Sequence, residues 1–137
     1  MKNTYGFRRI VLMPYRAAIA AVTAALKEEG FGVLTEIDVQ ATLKTKIGVD
    51  FKPYTILGVC NPNLAYQGLQ AEPELGLLLP CNVIVYDNGD DTITVSIVDP
   101  LQMLLGIVNN PALQPVAAEA DKRLRRVLEH LVRQMPA

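Results

Sequence analysis

The sequence predicts an α/β (α+β) fold, with a single mixed or mainly antiparallel sheet and helices packed mainly on one face. Three observations predict it. Short apolar runs with period two alternate with segments of helical period along the first half of the chain. Two apolar runs, Cys81 to Asp87 and Thr92 to Val98, flank an Asn88-Gly89 turn. A long amphipathic helix closes the chain. The 137 residues suit one domain, residues 1–137, and bury enough surface for a core without staples.

Phe7 to Met13 reads as the first strand, ended by Pro14. Tyr15 to Glu29 reads as a helix, because Tyr15, Ile19, Val22 and Leu26 recur at helical spacing. Gly30 sits where a C-terminal cap belongs. Phe31 to Ile37 is the second strand, with Phe31, Val33, Thr35 and Ile37 expected on one face. Asp38 is a good N-cap for a helix from Val39 to Ile47, closed by Gly48. Pro53 to Val59 is a third strand, and Gly58 in it marks a place where another group approaches the backbone. Asn61 and Pro62 open a helix reaching Ala71, as N-cap and first helical residue. Leu75 to Pro80 is an apolar connector into the hairpin. Asp99-Pro100 ends the hairpin and starts a short helix around Leu101 to Leu105. The last helix runs from Pro115 to Arg133 on a stripe of Val116, Ala120, Leu124, Val127, Leu128 and Leu131. Glu119 with Arg123, Asp121 with Arg125, and Glu129 with Arg133 are each spaced for i,i+4 pairing, worth about 0.2–0.5 kcal/mol apiece.

Composition narrows the function classes. Half of the residues are hydrophobic and a fifth are charged, which is globular and rather apolar. Some of that apolar surface is expected to sit in an oligomer interface. The net charge of −1 gives no global basic field, so neither nucleic acid nor a membrane surface is an expected partner. Two cysteines and one histidine make neither a disulfide framework nor a histidine-rich metal site. A soluble, cytoplasmic protein is expected: Arg8-Arg9 is a weak export signal, and cleavage after it would remove a strand and a helix.

The candidate thiol or ligand site is Cys60, Asn61, Pro62, Cys81 and Asn82. Each cysteine is followed by asparagine in a proline-flanked segment. If the strands holding them lie side by side and antiparallel, both thiols are at one end of the sheet. A parallel crossover would instead separate them by roughly 20 Å. Cys60 precedes a helix N-terminus, where free N–H groups and the helix dipole favour a thiolate. The simpler alternative makes both cysteines buried apolar residues. Whether a metal binds them is left open, and no cofactor is expected.

Weaker candidates are Glu36 and Asp38, two apart at a strand end, which suits acid–base work but equally an N-cap beside a surface charge. Asp87, Asp90 and Asp91 read as turn residues, since their spacing fails the calcium-loop pattern. His130 reads as a surface or interface histidine. Lys122, Arg123, Arg125, Arg126 and Arg133 read as a solvated helix face, because acids interleave with them.

Gly30-Phe31-Gly32-Val33-Leu34-Thr35-Glu36-Ile37-Asp38, Ile56-Leu57-Gly58-Val59-Cys60-Asn61-Pro62, Gly76-Leu77-Leu78-Leu79-Pro80-Cys81-Asn82-Val83 and Asp99-Pro100 follow one another in a recognisable order. Together they resemble domain-of-unknown-function family 302 over nearly the whole chain. The resemblance implies a small α/β fold, a bacterial or archaeal source and a homodimer. It implies no reaction and carries over no catalytic residues. Two readings follow: a dimeric ligand-binding or protein-interaction module, and, as the alternative, a thiol-dependent redox or metal-handling protein using Cys60 and Cys81.

Overall fold

The computed structural model describes residues 3–133, with side chains through residue 131. Five strands form one sheet: β1 (Gly6–Val11), β2 (Gly32–Asp38), β3 (Tyr54–Cys60), β4 (Cys81–Asp87) and β5 (Ile93–Val98). Their spatial order is β1-β5-β4-β3-β2, and every neighbouring pair is antiparallel. The sheet is therefore antiparallel throughout, the narrower of the two arrangements the sequence allowed. The first two strands in sequence occupy its two edges.

Four α-helices accompany the sheet: α1 (Tyr15–Glu28), α2 (Val39–Ile47), α3 (Pro62–Ala71) and α4 (Gln114–Arg133). α1 and α4 pack on each other and together cover one face of the sheet. α1 buries Ala18, Ile19, Val22, Ala25 and Leu26. All six stripe residues read from the sequence of α4 are buried. Leu57, Val59, Val83, Val85, Val95 and Ile97 meet them from the sheet. By strand alternation, Tyr54, Ile56 and Gly58 of β3 point to the opposite face. α2 differs from the other helices, for none of its residues is buried.

Two glycines have steric reasons. Gly30 has φ +83°, and a Cβ there would lie 2.9 Å from Asn61 Nδ2. A Cβ on Gly58 would fall 2.7 Å from Pro80 Cγ and closer still to Thr35 Oγ1, so this is the close approach that the sequence marked.

Three expectations need correction. A β-bulge falls between Val33 and Thr35, so Val33 pairs with Val59 and Thr35 with Gly58. The extra residue, Leu34, resets the alternation, so Val33 and Thr35 are on opposite faces rather than one. The hairpin does not turn tightly at Asn88-Gly89. Asp87 pairs with Ile93, leaving a five-residue loop with positive φ at both Gly89 and Asp91. Asn88 Nδ2 donates to Thr92 and Thr94 hydroxyls, both at 3.0 Å, and this anchoring favours the longer loop. Past Asp99, the short helix continues as wide π-type turns over Gln102–Ile107.

The basic residues of α4 are tied to acids. Arg123 pairs with Glu119 at 2.7 Å and Arg125 with Asp121 at 3.1 Å, as the spacing predicts. The pair Glu129–Arg133 lies outside the described side chains. Arg126 reaches Glu29 at 2.9 Å, and His130 Nε2 lies 3.0 Å from the same carboxylate while its Nδ1 is 3.3 Å from Glu28. His130 is thus a tie between α4 and the end of α1 rather than a plain surface histidine. Glu29 is only 9% exposed. Burial works to raise its pKa, but hydrogen bonds from Arg126 and His130 outweigh that and hold it below the usual glutamate value.

Candidate functional site

Antiparallel pairing of β3 with β4 brings the end of one to the start of the other. Val59 pairs with Cys81, so both cysteines are at the same end of the sheet. By alternation, Cys81 shares the covered face with Val59, and Cys60 begins on the other side. α3 starts immediately after Cys60. Asn61 caps it, accepting from Leu64 N at 3.2 Å, and Pro62 fills the first turn. The segment Pro73–Leu78 then forms a 3-10 turn that leads through Pro80 into β4.

These elements line a half-open cavity of about 330 Å³. The sheet end supplies Phe31, Val59, Cys60 and Cys81; α3 supplies Leu64, Ala65 and Leu69. Leu75, Gly76 and Leu79 of the connector close another side, and Val116 and Ala120 of α4 form the back. Asn61, 7% exposed, contributes the side-chain amide among this mainly apolar lining. Small residues at Ala65, Gly76 and Ala120 leave the space that larger side chains would fill.

Both cysteines are free thiols. Of the two readings of the cysteines, a reactive thiolate or buried apolar residues, burial in this cavity supports the second. Burial raises the Cys60 thiol above its ordinary value. Asn61 takes the cap position, as its sequence predicts, and Cys60 stands just before it. Cys81 is 8% exposed and is pushed up to about 11, first by burial and then by the Cys60 thiol. Both shifts disfavour the thiolate that a nucleophile needs. Among the described residues, no group of three or more histidines, cysteines, aspartates or glutamates is placed to hold a metal ion.

Of the residues singled out in the sequence, Cys60, Asn61 and Cys81 share the cavity. Pro62 and Asn82 do not line it. Asn82 pairs with Gly58 and points to the opposite face of the sheet. Glu36 and Asp38 are both exposed on the β2 edge, and Asp38 is occupied in capping α2 through Ala41 N at 2.9 Å. The sequence reading missed Leu64, Leu69, Val116 and Ala120, because nothing in a single helix's pattern says which small or apolar residues face one another across a gap.

The profile of domain of unknown function DUF302 matches residues 8–131. The chain belongs to this family. A solved DUF302 relative, described as an uncharacterised conserved protein from Bacillus stearothermophilus, has 35% sequence identity. It superimposes with a TM-score of 0.85 over 94% of this chain and 99% of its own. An uncharacterised protein of Aquifex aeolicus (strain VF5) is 26% identical over 136 residues, 89% of this chain and 94% of that protein. Both Cys-Asn segments lie inside the stretch matched to DUF302. Among the described residues, no helix is long and apolar enough to cross a membrane.

Proposed function

We propose that this DUF302 domain is a binding module for a small apolar molecule, held in the cavity between β3, β4, α3 and α4. The observation that carries the reading is the cavity: about 330 Å³, mainly apolar, with one amide and two neutral thiols in its walls. Ligand sites generally combine an apolar lining with a few polar groups in this size range. The raised thiol pKa values support Cys60 and Cys81 as soft, uncharged wall rather than as a redox pair.

The module works as a homodimer. Ile47, Val49 and Phe51, on and just after a helix that buries nothing, are exposed and support an interface with a second copy. Light scattering at micromolar concentration gives twice the 15.0 kDa chain mass if this is right, and a 15.0 kDa species removes the dimer.

Ligand binding is tested by titrating toluene and 1-octanol while following the methyl resonances of Leu64, Leu69 and Val116. Saturable shifts are expected, and Ala120→Leu, which fills the back of the cavity, abolishes them while leaving the remaining methyl spectrum in place. Methyls that stay unmoved at saturating probe would end the apolar-ligand reading.

A further inference from the structure

The face of the sheet opposite α1 and α4 holds a second depression, of about 560 Å³. Ile84 of β4 and Val98 of β5 form an apolar floor. Tyr54 and Tyr86 are cross-strand partners on this face. Their rings stack with centroids 5.3 Å apart and planes within 6°. Lys52 Nζ lies 5.2 Å from the centre of the Tyr86 ring. Arg8, on β1, stands at the other side, with β5 and β4 between.

The polar groups around this floor share one property. Lys52 and Arg8 are cations; Tyr5, Tyr54, Tyr86 and Ser96 carry hydroxyl donors; Asn3 and Asn82 carry amide donors. Among the described residues no carboxylate lines the depression, although the chain has 14 acidic against 13 basic residues. Hydrogen-bond donors and two cations thus border this floor, with the described acids elsewhere. Burial, then Tyr86 and Tyr5, push the Tyr54 phenol above its ordinary value.

We propose that this face binds a small planar aromatic anion, a single ring system bearing a carboxylate or a phosphate. The ring lies against the tyrosine pair and the Ile84–Val98 floor. The anionic group takes hydrogen bonds from the tyrosine hydroxyls and charge from Lys52 and Arg8, where charge-assisted bonds are the strong ones. A purely apolar ligand would leave these donors unanswered, and a cation would meet Lys52 and Arg8. The site is separate from the Cys60–Cys81 cavity, which lies at the end of the sheet against α3 and α4, so either can fail alone.

The test is amide-resolved NMR titration with benzoate and with 5′-AMP as probes, alongside cyclohexanecarboxylate and inorganic phosphate. The amides of Gly6, Asn82 and Ser96 are expected to shift and saturate with both aromatic anions, with Kd of about 1 mM or tighter. Arg8→Gln and Lys52→Gln each raise Kd roughly tenfold without disturbing the methyl spectrum of the core. Tyr86→Leu removes the preference for benzoate over cyclohexanecarboxylate. Benzoate and AMP together show the shared chemistry, and whichever binds tighter tells carboxylate from phosphate. The proposal is overturned if none of these amides shifts saturably, if phosphate alone does as well as AMP, or if the shifts follow protein dilution instead of probe, which would make the face a contact between two copies.

Discussion

On the face that α1 and α4 cover, β4 contributes Val83 and Val85, and β5 contributes Ile93, Val95 and Ile97, all buried. On the opposite face the same two strands contribute exposed Asn82, half-buried Ile84, Tyr86, Ser96 and Val98, and one buried residue, Thr94. The backbone is common to both faces, so the difference lies entirely in which residues alternate along it. Branched aliphatics fill the space under the helices, where only shape matters. The open face instead carries rings, hydroxyls and two cations, groups that keep their hydrogen-bonding capacity in water. The covered side of β4 and β5 is thus committed to stability, and most of their open side is available for recognition.

That contrast predicts very unequal costs of truncation. Leu124, fully buried on α4, should lose about 2–5 kcal/mol on mutation to Ala, because a cavity is left where the helix meets the sheet. Ile10, 53% exposed on the open face, should change stability by no more than about 0.5 kcal/mol on mutation to Ser. Urea melts of both variants check the pair. A comparable loss at Ile10 would mean that something covers the open face in solution.

Gly58 tests a place where the open face is closed. Pro80 and Thr35 stand over it from two sides. Gly58→Ala should therefore cost about 1–3 kcal/mol, as overpacking does, even though the residue faces away from the core helices. A neutral Gly58→Ala would show that Pro80 and Thr35 give way freely, and would loosen the connection between β3 and the cavity rim.

How much of this was legible in the sequence follows the same division. The covered face was readable, since Leu57 and Val59 on β3 and the six-residue stripe of α4 obey simple periods. Caps were readable too, because Asp38 and Asn61 act on their own next few residues. The strand order was not: nothing local places β1 beside β5, across most of the chain from it. The bulge at Leu34 was hidden because one extra residue changes no composition, only the phase of everything after it. At the candidate site, the sequence found Cys60, Asn61 and Cys81 but left the state of the thiols between two readings. A thiol's charge depends on surroundings drawn from α3 and the Pro73–Leu78 turn, and those become neighbours only in the folded chain.

The smallest effect expected is a pH dependence at the seam between α1 and α4. Glu29 is buried yet ionised, held by Arg126 and His130. Its folded pKa lies below the ordinary glutamate value, so the unfolded chain binds this proton more readily than the folded one. The stabilisation from Glu29 is therefore fully present above about pH 4.3, the unfolded value. It is lost as pH falls through the folded pKa. Urea midpoints measured between neutral pH and pH 3 should decline over this range, and less steeply in Glu29→Gln, where no carboxylate titrates. The variant is also less stable at neutral pH, since Arg126 loses its charged partner. Identical slopes in the two proteins would place the acid sensitivity elsewhere, among exposed pairs such as Glu119 with Arg123, and would leave the α1–α4 seam held by Leu26, Leu124, Val127 and their apolar neighbours.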